Sequence, residues 1–106
     1  EFILFDVTPG SVKETRRTPE DYGVSRCRAE DLKGGDGACN AAAFMRVMTG
    51  ADSGPHRDAL LMGTSLVLEV AGIVDNAKDG VLRVADTIDS GAAGTFLENL
   101  KRHFAG

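Results

Sequence analysis

Gly54-Pro55-His56-Arg57-Asp58-Ala59-Leu60-Leu61-Met62-Gly63-Thr64-Ser65-Leu66-Val67-Leu68-Glu69-Val70 is the longest helical stretch of the chain, and its reading decides the fold. Proline at the first helical position forfeits no hydrogen bond, because the first-turn N–H groups of a helix lack intrahelical acceptors. Asp58 complements the positive end of the helix dipole. Leu60, Leu61, Val67, Leu68 and Ala71 spread apolar surface over most of the circumference. A helix apolar nearly all round belongs in an interior, not on the outside of a small domain. Glu69, alone among apolar neighbours, reads as a stripe turned to water in preference to a buried acid of raised pKa.

Downstream, Asn76 is placed to cap a helix in which Val81, Val84, Ala85 and Ile88 recur at helical spacing until Ser90-Gly91. A last helix carries Phe96, Leu97, Leu100 and Phe104, with Lys101, Arg102 and His103 in the final turn, where positive charge meets the negative end of the dipole. Upstream, a short helical turn from Arg28 through Leu32 ends at Lys33-Gly34-Gly35, since paired glycines do not hold a helix interior. Asp36 caps the next helix, whose expected inner face is Ala41, Phe44, Met45 and Met48, with Gly50 as its stop. Before all of these, Phe2 to Thr8 and Val12 to Thr18 are two β-compatible runs joined by Pro9-Gly10, and Thr18-Pro19-Glu20-Asp21-Tyr22-Gly23 punctuates the exit. The pattern is a β-hairpin followed by about four helices, mainly α, with no internal repeat.

At 106 residues the chain has room for one core. At this size the margin of stability is thin unless something covers the remaining apolar faces. Apolar residues at 42% and charged residues at 26% are ordinary globular proportions, remote from disorder. A net charge of -4 gives no general attraction to nucleic acid or anionic lipid. The one basic cluster, Arg16, Arg17, Arg26, Arg28 and Lys33, is interleaved with Glu14, Glu20, Asp21, Glu30 and Asp31 and reads as a solvated surface. Cys27 and Cys39 lie twelve positions apart without metal-ligand spacing, which suits free thiols in a reducing, cytoplasmic setting. No signal peptide is visible, and Ala59 to Val74 is too short and interrupted for a bilayer span, so a soluble protein is expected. The opening without methionine suggests an excised or processed segment.

Several motifs invite chemistry. Lys33-Gly34-Gly35-Asp36-Gly37 before a helix resembles a phosphate loop, but no lysine and hydroxyl pair follows, and Asp36 would repel a phosphate. A turn with an N-cap is the better reading. His56-Arg57-Asp58 spells a kinase triplet, yet Gly63 stands where that motif needs asparagine. His56 and His103 have no arguable triad partners and read as surface or capping residues.

Four segments in order carry a resemblance: Thr18 to Gly23, then Leu32-Lys33-Gly34-Gly35-Asp36 running to Asn40-Ala41-Ala42, then Gly54 to Leu61, then Ile88-Asp89-Ser90-Gly91-Ala92-Ala93. Together they resemble the carboxy-terminal end of anthranilate phosphoribosyltransferases, in the family that also includes pyrimidine nucleoside phosphorylases. The chain departs from the family at Met62-Gly63-Thr64, where an asparagine and alanines are usual. The resemblance implies that residues 1–106 are the carboxy-terminal part of the large α/β domain. It implies transfer of a phosphoribosyl group from phosphoribosyl pyrophosphate to the anthranilate amine, in tryptophan biosynthesis. The leaving pyrophosphate needs metal and backbone donors for its developing charge. In the family these are a GTGGD loop, a KHG segment and an Asp-Glu pair that binds magnesium. Only Glu1 aligns with any of these, with the second carboxylate of that pair. No catalytic and no substrate-binding residue is assigned in this chain. Its partner is then the upstream part of the same enzyme, whose homodimer uses an amino-terminal helical domain.

Two other readings compete. A relative that has given up catalysis to bind nucleic acid or protein would need the arginines at 16, 17, 26 and 28 on one face. A stand-alone interaction domain made by gene splitting or proteolysis would restore activity only with its missing part.

Overall fold

A computed structural model describes residues 1–105. Strand β1 (Phe2–Thr8) pairs antiparallel with β2 (Ser11–Arg17), from Phe2 opposite Arg17 to Thr8 opposite Ser11. Pro9 fixes a negative φ and Gly10 adopts φ 80°, the combination that lets two residues reverse the chain. Short 3-10 turns follow at Pro19–Tyr22 and Ala29–Leu32. Four helices complete the chain: α1 (Gly37–Met48), α2 (Pro55–Val70), α3 (Ala77–Asp89) and α4 (Ala92–Ala105). A hairpin followed by four helices is therefore the observed order, consistent with a piece of an α/β domain. The second strand runs one residue earlier than the β-branched pattern suggests.

The caps form as the sequence requires. The Asp36 carboxylate accepts from the Cys39 N–H at 2.8 Å and the Asn76 side chain from the Asp79 N–H at 2.9 Å. Gly91, at φ 87°, separates α3 from α4. Helix α2 continues unbroken through Met62-Gly63-Thr64, so the departure from the family pattern there leaves the helix intact.

The core is small: Val47, Leu61, Val84, Ile88 and Ala93 are buried together, with Met48, Leu60, Leu68, Val81 and Ala85 packed around them. Its densest seam lies between α2 and α3. Ser65 is fully buried there and its hydroxyl donates to the Ala77 carbonyl at 2.7 Å. Gly80 faces it so closely that an added Cβ would lie 2.8 Å from the Ser65 Cβ and 3.0 Å from its Cα. Only a residue without a side chain fits that crossing.

Two expectations about inner faces need correction. On α1 the buried residue is Val47, while Ala41 and Phe44 are exposed, so the helix is turned about one position from the face read off Ala41, Phe44, Met45 and Met48. Four apolar candidates in a short helix leave that rotation open, and the packing of Val47 on Leu61 and Ala93 decides it. On α2 only Leu61 and Ser65 are buried, and Val70 is 83% exposed. The helix has interior composition without an interior around it.

The same deficit shows in the whole molecule. Its accessible surface is 7229 Å², where a folded monomer of 11.2 kDa exposes about 5,700 Å². The radius of gyration is 15.5 Å, against about 13 Å for a compact domain of this length. Apolar faces on the hairpin, α2 and α4 stand open, Phe104 at 79% among them.

Candidate functional site

The polar groups that the sequence motifs single out lie in four places. The first is the foot of the hairpin. Arg17 reaches from the end of β2 to Glu69 on α2 with two parallel hydrogen bonds of 2.7 and 3.0 Å, and also donates to the Tyr22 hydroxyl at 3.0 Å. Its guanidinium lies 5.7 Å from the centre of the Tyr22 ring, and the Phe2 ring is tilted against the tyrosine with centroids 6.2 Å apart. Tyr22 is 1% exposed. The carboxylate of Glu69 holds the Arg17 pKa well above its usual value. Glu69 is thus a paired, partly buried carboxylate, not the water-facing stripe its neighbours suggested.

The second is the His56-Arg57-Asp58 opening of α2. Arg57 grips Asp89 at the end of α3 with bonds of 2.8 and 3.0 Å. The contact lowers the Asp89 pKa and raises that of Arg57. Asp58 is pushed up by burial, with Asp52 adding repulsion and Arg57 opposing both. Arginine here clamps the opening of α2 to the end of α3.

The third is the glycine pair. The Asn40 side chain accepts from the Gly35 N–H at 2.9 Å and donates to the Gly35 carbonyl at 3.0 Å. Asp36 occupies the first-turn Cys39 amide. The amide an anion would seek at Gly35 is taken by the chain itself, and a carboxylate already sits at the helix start, which makes the loop a structural turn. Asn40 was legible only as part of the resemblance; its spacing of five from Gly35 is the signal that links them.

The fourth is Glu1, the carboxylate aligned with the metal-binding pair. It is exposed and accepts from Arg16 at 2.8 Å. Among the described residues no group of three or more His, Cys, Asp or Glu side chains comes together to hold a metal. One carboxylate engaged by a guanidinium fits at most one arm of a divalent-ion site, not the site. Both cysteines are exposed and free.

The four arginines of the basic cluster each meet a carboxylate. Arg16 meets Glu1, Arg17 meets Glu69, Arg26 meets Glu20 at 2.7 Å, and Arg28 approaches Asp31 at 4.0 Å. Among the described residues no helix is long and apolar enough to cross a membrane. Clefts indent the surface among the described residues. About 450 Å³ lies between the glycine loop, α1 and α2, lined by Leu32, Asn40, Phe44 and His56 among others. About 380 Å³ lies between β1 and the end of α2, and about 330 Å³ beside Glu1, Cys27 and Asp58. None of these clefts holds a nucleophile hydrogen-bonded to a base.

Residues 2–94 match the family described as glycosyl transferase family, a/b domain. Anthranilate phosphoribosyltransferases of Brucella ovis, Brucella canis and Brucella abortus are each 41% identical to the chain over 91 residues. That match covers 86% of this chain and 26% of each relative, so the chain spans about a quarter of the length of the relatives it matches.

Proposed function

The chain belongs to the glycosyl transferase family through its a/b domain, and from that membership we propose that it is the carboxy-terminal part of an anthranilate phosphoribosyltransferase, acting as scaffold. The complete enzyme transfers phosphoribosyl from phosphoribosyl pyrophosphate to anthranilate, in tryptophan biosynthesis and in the cytoplasm. The observation that carries the scaffold reading is that the polar constellations here are internal: Arg17 with Glu69, Arg57 with Asp89, Asn40 with Gly35. The 41% identity to enzymes of that name supports the reaction.

Diphosphate and metal contacts come in this reading from polypeptide outside residues 1–106. Magnesium, where the complete enzyme binds it, supplies charge stabilisation for the leaving pyrophosphate. Glu1 contributes at most one carboxylate to it, released from Arg16. The complete enzyme is a homodimer, formed through an amino-terminal helical domain.

The test is an assay for phosphoribosylanthranilate made by this chain alone and by the chain mixed with a separately produced upstream segment. The expected result is no turnover alone and turnover on mixing. Turnover by the isolated chain at a rate near the intact enzyme's would overturn the scaffold role.

A further inference from the structure

We draw no further inference here: the strongest candidate, the apolar surface patch that Phe96, Leu100 and Phe104 form along α4, carries nothing because nothing in the structure shows what covers it.

Discussion

Arg57 and Asp89 join two of the segments that carry the family resemblance, the opening of α2 and the end of α3, through two parallel hydrogen bonds of 2.8 and 3.0 Å. Because Arg57 depresses the Asp89 pKa below its ordinary value near 4, the unfolded chain takes up this proton first as pH falls. The stabilisation is therefore complete above pH of about 4 and is lost as the folded-state carboxyl titrates below it. Asp89→Asn is expected to lower the melting temperature at pH 6 to 7 by a small amount, since Asp89 is largely exposed, and the difference is expected to shrink as pH falls. Melting curves of the two proteins from pH 7 to 2 check this; a gap that widens toward low pH would contradict the assignment.

The seam between α2 and α3 gives a test of opposite tendencies. In a helix interior Gly→Ala gains up to about 1 kcal/mol. At Gly80 the new methyl group would meet Ser65, whose hydroxyl is committed to the Ala77 carbonyl. Overpacking of that kind costs about 1–3 kcal/mol, so Gly80→Ala is expected to destabilise despite the better propensity. Ser65→Gly removes the obstructing Cβ, and the double variant should cost less than the two single changes added together. Urea unfolding of the four proteins in this cycle measures the coupling.

Much of the fold was legible in the sequence, and what was not is long-range. The hairpin, the two side-chain caps and the stop at Gly91 follow from residues within a few positions of each other. Tyr22 belongs by sequence to a turn, yet it is among the most buried side chains, because Arg17, Phe2 and α3 close over it. Glu69 lies 52 positions from the arginine that pairs with it, and no periodicity reports such a pairing. The interior composition of α2 is plain in the sequence, but the body that would cover it is not among the described residues.

The pair at the foot of the hairpin should govern local opening. Arg17 and Glu69 side chains are 23% and 16% exposed, so removing one partner strands a charge that is only partly hydrated. A fully buried pair broken in this way costs about 3–5 kcal/mol; with this exposure about 2 kcal/mol is expected for Glu69→Gln. The loss should fall on the hairpin, which is tied to the helices there. Hydrogen exchange checks this: amides of β1 and β2 should exchange faster in Glu69→Gln while those of α3 keep their protection. Uniform acceleration across all elements would mean that the pair supports the whole chain instead.

Pairing also decides what the arginines can do to nucleic acid. A phosphate contact gains affinity by releasing a counterion from the polymer, but an arginine that must first leave a carboxylate gives back much of that gain. Arg16, Arg17, Arg26 and Arg28 all have such partners, and the chain carries 16 acidic against 12 basic residues. Non-specific binders reach dissociation constants of about 10⁻⁴ to 10⁻⁶ M at physiological salt. This chain is expected to leave the fluorescence anisotropy of a labelled duplex unchanged at concentrations up to about 10⁻⁴ M under those conditions. A titration showing tighter binding that weakens steeply with salt, with a slope matching about three or four phosphates, would mean that the carboxylates yield to phosphate, and would favour the nucleic-acid role over the scaffold.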